Sequence, residues 1–231
     1  MKIFGLQKLS LLDFPGKMAC TVFTGGCNLR CPFCHNASLV TGLSDVEPIE
    51  ESEVFDLLRK RRGILEGVAI TGGEPLLQPD IEDFIRRVRA QGCAVKLDTN
   101  GCYPDRLGRI LAEKLVDYVA MDIKNAPDAY AKTVGVEGFD LSPVQKSVEL
   151  LMNGGVDYEF RTTVVKELHS AADFEKIGQW LKGAKRLYLQ SFKDSGDLIG
   201  SGLSACTSKE LEQFRQILLP YIPDTFLRGV D

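Results

Sequence analysis

The feature that most restricts this chain is an alternation of short β-rich runs with segments of helical periodicity. Apolar and β-branched residues concentrate at Ala19–Thr24, Gly67–Thr71, Cys93–Asp98, Val116–Asp122, Asp157–Val164 and Arg186–Gln190. Runs of that length between turn residues read as strands. Between them, Ile81, Phe84, Ile85 and Val88 recur at helical spacing, as do Leu107, Ile110, Leu111 and Leu115, so each segment presents one apolar face to a core. Ser142-Pro143 reads as a cap followed by proline in the first helical turn, with Gln145 completing a capping box. Ser170 with Asp173 and Thr207 with Glu210 mark two more starts, while Asn153-Gly154-Gly155 and Pro220 mark stops. Strand–helix alternation implies an α/β fold with a parallel sheet, either open and doubly wound or a full or partial barrel.

No composition break marks a domain boundary, so residues 1–231 are expected as one domain, with a core over about 15–193 and a carboxyl-terminal helix and tail over 205–231. The Gly- and Ser-rich stretch 193–204 reads as a long loop, either a solvated connection or a lid. With 28 basic and 32 acidic residues the chain carries a formal charge of −4, which argues against a nucleic-acid partner. No apolar run approaches the roughly 20 residues that span a membrane. The start, Met1-Lys2-Ile3-Phe4-Gly5-Leu6, lacks a signal-peptide pattern. A soluble, cytoplasmic protein is expected.

Seven cysteines is an odd number, and Cys27, Cys31 and Cys34 fall within eight residues directly after the first predicted strand. A disulfide scaffold would distribute paired cysteines along a shorter secreted chain. Crowding here points to metal. Cys20 and Cys93 lie in apolar runs and read as small core residues; Cys102 and Cys206 stand alone. Three thiolates on one curled loop can hold three corners of a [4Fe–4S] cube and leave one iron open for substrate. A zinc ion held by the same cysteines with His35 or a distant ligand, in a non-catalytic interaction module, or accidental crowding, is the competing reading.

Other polar residues gather at the ends of later predicted strands. The second ends in Thr71-Gly72-Gly73-Glu74-Pro75, the third in Leu97-Asp98-Thr99-Asn100-Gly101, and the fourth in Ala120-Met121-Asp122-Ile123-Lys124. Paired glycines let backbone approach a ligand, and Glu74 can accept from an ammonium. Asp98 and Asp122 on neighbouring strands require positive charge between or beside them, to which Lys124 contributes. Arg161 and Thr163 share one face of the fifth strand, and an arginine among Phe160, Val164 and Val165 calls for a buried partner or a ligand.

The pattern Cys27-x-x-x-Cys31-x-x-Cys34 resembles the signature of the radical S-adenosylmethionine superfamily. The Asp98-Thr99-Asn100-Gly101 and Asp122-Ile123-Lys124 segments resemble motifs of the glycyl-radical-enzyme activases. Lys8-Leu9-Ser10-Leu11-Leu12-Asp13-Phe14-Pro15-Gly16-Lys17 and Cys34-His35-Asn36 are similar to the anaerobic ribonucleoside-triphosphate reductase activating proteins, close to the pyruvate formate-lyase activases. The resemblance implies a partial (β/α)6 TIM-like barrel with one [4Fe–4S] cluster on the three cysteines. It implies S-adenosylmethionine held by Phe33, His35, Gly73, Glu74, Asp98, Asp122, Lys124, Arg161 and Thr163, with a monovalent cation near Asp98, Thr99 and Asp122. Lys193, standing where pyruvate formate-lyase activases carry a histidine, is expected as a further cofactor-binding residue, touching the ribose or the charge of S-adenosylmethionine. The cysteines would be ligands rather than nucleophiles, and no separate catalytic residue is implied. Reductive cleavage of the cofactor would give a 5′-deoxyadenosyl radical that installs a glycyl radical on a partner, the large subunit of an anaerobic ribonucleotide reductase. Flavodoxin or ferredoxin would supply the electron. A sister enzyme acting on another glycyl radical enzyme, a small molecule or a peptide is the alternative.

Overall fold

The two faces of the strands differ in composition, and that difference sets the architecture. In the computed structural model, which describes residues 1–230, eight strands form one sheet in sequential order. They are β1 (Ile3–Ser10), β2 (Ala19–Thr24), β3 (Gly67–Gly72), β4 (Ala94–Thr99), β5 (Tyr118–Asp122), β6 (Asp157–Val164), β7 (Leu187–Ser191) and β8 (Thr225–Arg228). β2 to β8 run parallel, and β1 pairs antiparallel with β2. β1 and β8 are the two edges of the sheet, so the barrel is partial, with an open seam. The helices are α1 (Ala37–Thr41), α2 (Glu51–Lys60), α3 (Ile81–Arg89), α4 (Pro104–Ala112), α5 (Tyr130–Val134), α6 (Ser142–Met152), α7 (Ala171–Trp180) and α8 (Ser208–Leu218). Among the described residues no helix is long and apolar enough to cross a membrane.

Alternation along each strand sends Val22, Val68, Ile70, Val95, Leu97, Val119, Met121, Phe160 and Leu189 to one buried face, in one core with Phe84, Ile85, Val88, Ile110, Phe174 and Ile177 of the helices. The opposite positions form the lumen. They are small at its amino end, where Phe14 from the β1–β2 turn packs with Ala19, Tyr118 and Ala120. They are polar at its carboxyl end, where the site lies.

The six expected strands are present, Ala19–Thr24 and Asp157–Val164 with the expected bounds and the other four with ends moved by one or two residues. β1 and β8 were not expected. β1 is an edge whose middle residues are half or fully exposed, so its pattern lacks a clear alternation, and β8 has only four residues. The sheet therefore extends beyond both bounds of 15–193. α6 begins as expected, but Ser142 does not cap it. Its hydroxyl donates to Asp140 at 2.8 Å, a charged acceptor two residues upstream, and Leu141 occupies the cap position with no side-chain bond. The capping boxes at Ser170 and Thr207 are both formed.

Candidate active site

The cysteine loop leaves the carboxyl end of β2 and is held by backbone bonds from several directions. Gly26 N–H donates to Leu39 O at 2.8 Å, Arg30 N–H to Val134 O at 2.9 Å, and Cys34 N–H to Cys31 O at 3.1 Å. Asn36 Nδ2 donates to Gly72 O at 3.0 Å, tying the loop to the end of β3. Cys31 and Cys34 face a cavity of about 410 Å³ at the carboxyl end of the lumen. Cys27 sits to one side of it, its Sγ accepting from Leu29 N–H at 3.4 Å and Asn100 Nδ2 at 3.7 Å.

All seven cysteines are free thiols. Burial pushes the Cys31 thiol up to about 12 against the lowering influence of Lys124, and burial also raises Cys27. Thiolate forms on such a loop when a metal centre compensates the charge. Among the described residues, no group of three or more His, Cys, Asp or Glu side chains converges on a single-ion site. His35 stacks on Phe192, with ring centroids 5.5 Å apart.

The glycines ending β3 serve the protein's own backbone. A Cβ on Gly73 would lie 2.0 Å from Gly26 O, and one on Gly72 would lie 2.3 Å from Thr24 O. Gly72 also has φ of +113°, a conformation open to glycine. The pair thus lets the start of the cysteine loop lie against β3. Glu74 follows, fully buried, and its carboxylate is occupied. Oε1 accepts from Leu76 N–H at 3.0 Å and Thr99 Oγ1 at 2.8 Å, and Oε2 accepts from Asn100 N–H at 2.7 Å. Burial outweighs these donors and pushes the carboxyl up to about 7. Glu74 therefore braces the ends of β3 and β4 together.

Charge on the cavity wall alternates in sign. Arg161 on β6 reaches two carboxylates: Nη1 lies 3.0 Å from Asp98 Oδ2 on β4, and Nε lies 2.9 Å from Asp122 Oδ1 on β5. Lys124 Nζ lies 3.0 Å from Asp122 Oδ2, and Lys96 pairs with Asp98. Burial alone would raise Asp122, but Arg161 and Lys124 hold it at about 2. The same balance, with Arg161 and Lys96, holds Asp98 below its ordinary value. Burial works against the charge of Lys124, but Asp122 leads the groups that raise its pKa. Each carboxylate faces two cations of the protein itself, Lys96 and Arg161 at Asp98 and Lys124 and Arg161 at Asp122. Thr99 lines the cavity too, with its hydroxyl donating to Glu74 and accepting from Gly101 N–H at 3.1 Å.

Cys31, Cys34, Phe33, His35, Gly73, Asp98, Asp122, Lys124, Arg161 and Thr163 all line the one cavity. Glu74 does not, and Lys193 is exposed outside it. Gln7, Asp13, Thr21 and Gln190 also line it, and none of them was singled out from sequence. The parity of Gln190 on β7, two residues beyond Tyr188, was the available signal. Asn100, which donates to the Cys27 sulfur, was legible only as part of its motif.

The donor set suits an iron–sulfur cluster. Soft thiols stand beside a polar cavity whose cations, Lys124 and Arg161, project toward the space in front of Cys31 and Cys34. Lys124 Nζ also lies 5.9 Å from the centre of the Phe33 ring, so a charged and an aromatic surface meet where a ligand with both polar and planar parts would sit.

Residues 21–181 match the family model of the Radical SAM superfamily. The chain is 31% identical to a Methanocaldococcus jannaschii protein named "Putative glycyl-radical enzyme activating enzyme", across 99% of this chain and 96% of that one. It is 32% identical to the pyruvate formate-lyase-activating enzyme of Clostridium pasteurianum, across 80% of this chain and 78% of that one. The fold is similar to that of Streptococcus suis SuiB bound to precursor peptide SuiA, with a TM-score of 0.72 at 16% identity, covering 90% of this chain and 48% of that longer one. Three cysteines after the first parallel strand, cavity residues at the ends of the next, and these likenesses agree: the chain belongs to the radical S-adenosylmethionine superfamily, among the relatives of the glycyl-radical enzyme activating enzymes.

Proposed function

We propose that this protein installs a glycyl radical on an anaerobic ribonucleotide reductase large subunit, taking its electron from a flavodoxin or ferredoxin. The observation that carries the reading is the facing of Cys31 and Cys34, Lys124 and Arg161 onto one cavity. The family uses a [4Fe–4S] cluster and S-adenosylmethionine. When bound, they would supply one-electron reductive cleavage of the sulfonium, and with it the 5′-deoxyadenosyl radical needed to abstract a hydrogen atom from the partner's glycine.

The chain's own residues bind and orient. Cys27, Cys31 and Cys34 would ligate the cluster. Lys124 would pair with the cofactor carboxylate, and Gly73 would offer backbone to its amine. Phe33 and His35 would border the adenine, and Arg161 and Thr163 would lie along the cofactor. Glu74 acts from behind, fixing the strand ends, and the backbone of Lys193 rather than its side chain belongs to this region. Asp98 and Asp122 hold Arg161 and Lys124 in place. Such fixed charges need no rearrangement when the ligand reacts.

The seam between β1 and β8 offers the partner a way in. A second cavity of about 150 Å³, lined by Leu12, Asp13, Pro15, Gln190 and Arg228 among others, continues the lumen toward that seam. Leu9, Leu11, Leu12 and Phe226 are exposed near it. The likeness of Lys8–Lys17 to the reductase activases supports the choice of partner. The test is anaerobic incubation with reductant, S-adenosylmethionine and the purified reductase. A glycyl-radical resonance on the reductase is expected. Its absence there, with a signal on pyruvate formate-lyase instead, would reassign the partner.

A further inference from the structure

Residues 193–204, between β7 and α8, form neither helix nor strand, yet they are tied repeatedly to the part of the cysteine loop that carries Cys34. Gly200 N–H donates to Pro32 O at 2.8 Å. A Cβ on Gly200 would lie 2.6 Å from Pro32 Cβ and 3.1 Å from its Cα, so the approach requires glycine. Asp197 accepts from Ser38 N–H at 3.2 Å and from Ser38 Oγ at 2.8 Å. Where the segment begins, Phe192 stacks on His35 at an interplanar angle of 18°, and the backbone of Lys193 favours the charged form of the His35 ring against the burial that lowers its pKa. Its far end is fastened elsewhere, with Lys166 N–H donating to Ser204 O at 3.1 Å and Ser204 N–H to Glu167 at 2.9 Å.

The segment thus spans from β7 to the β6–α7 loop and grips Pro32, His35 and Ser38 along its length. The Cys27 half of the loop is held differently, by Leu39 and Val134. Between Cys31 and Cys34 the only internal backbone bond is the turn from Cys34 N–H to Cys31 O, and the helix that follows, α1, has five residues. A stretch with so little regular structure of its own loses conformational entropy when fixed in one shape, and ligands must be fixed to within fractions of an ångström to hold a cluster.

We infer that residues 193–204 are a strap that holds the Cys31–Cys34 half of the loop in its ligating shape, with Asp197 and Gly200 as positioning residues. The inference rests on the cluster reading above. Loss of a group that orients metal ligands typically weakens metal retention by about 10- to 100-fold.

Two readouts test it. In the metal-free protein, amide hydrogen exchange over residues 31–38 is expected to quicken in Asp197→Ala and in Gly200→Val. Exchange in the strands should stay as in the parent. In the anaerobically reconstituted protein, a ferrous chelator is expected to strip iron about tenfold faster from both variants. Asp197→Asn keeps an oxygen that accepts from Ser38 and should recover most of the loss. A group that only stabilised the fold would lower the melting temperature and leave iron release from folded protein unchanged. Unchanged exchange over 31–38, or unchanged iron release once exchange shows the strap freed, would overturn the inference. Should Gly200→Val fail to fold, Asp197→Ala carries the test alone. A parent protein that takes up no iron would instead sink the cluster reading, while the exchange result still judges the strap.

Discussion

The two ends of the lumen are made by the same strands, yet one is filled and the other is open. At the amino end Phe14 drops in from the β1–β2 turn against Ala19, Tyr118 and Ala120, and small inner residues such as Gly67 and Ala94 leave room for it. A Cβ on Gly67 would lie 2.8 Å from the Phe14 ring. At the carboxyl end the next inner positions are Asp98, Asp122 and Arg161, and no apolar side chain plugs the space. The plug contributes by burial, about 2 kcal/mol or more for a phenyl ring. The charged end costs desolvation and stays folded because each ion is paired with an opposite charge. On β5, two residues of rise from Ala120 to Asp122 separate a packing region from a chemical one.

Breaking each end separately sharpens that contrast. The largest effect belongs to Cys31→Ala, which is expected to abolish both iron binding and S-adenosylmethionine cleavage, while Cys93→Ala, buried on the outer face, keeps both. Iron content and 5′-deoxyadenosine release measure this. Arg161→Ala leaves Asp98 and Asp122 without their shared cation. It is expected to cost about 3 kcal/mol in denaturant unfolding and to cut cleavage as well. Phe14→Ala at the plugged end should cost about 3 kcal/mol too, but cleavage per folded molecule should be unchanged. Equal loss of activity in these two variants would erase the distinction between the ends.

A smaller effect comes with acid. The Asp122 carboxyl sits at about 2 in the folded protein against an ordinary 3.8. Its stabilisation is therefore complete above 3.8 and is lost as pH falls through about 2, a change of about 2 kcal/mol. Asp122→Asn should flatten that limb of the stability profile. Smallest of all, Asn100→Ala should leave the iron content intact and lower the reduction potential, because the Cys27 sulfur loses a hydrogen-bond donor.

The six inner strands and the cysteine loop were legible because period, caps and ligand spacing are local properties. Arg161 was legible in part: its apolar neighbours demanded a partner, but that it bridges Asp98 and Asp122 follows from the registers of β4, β5 and β6. Glu74 shows the limit. Its place after Gly72-Gly73 suggests a ligand-facing carboxylate, but Leu76, Thr99 and Asn100 turn it inward, and two of those belong to the next strand's end. Edge strand β1 was not legible because its exposed side chains carry little hydrophobic pattern. The strap could be seen only as a glycine-rich loop, since Gly200 and Pro32 meet through tertiary structure alone.

The central claim is a cluster held at three corners and open at the fourth. Its most direct measurement is electron paramagnetic resonance of the anaerobically reconstituted, reduced protein before and after adding S-adenosylmethionine, with iron and sulfide counted on the same sample. The account predicts about four irons per chain and a cluster signal that shifts when the cofactor binds. A protein without iron, or a cluster signal indifferent to the cofactor, would contradict it.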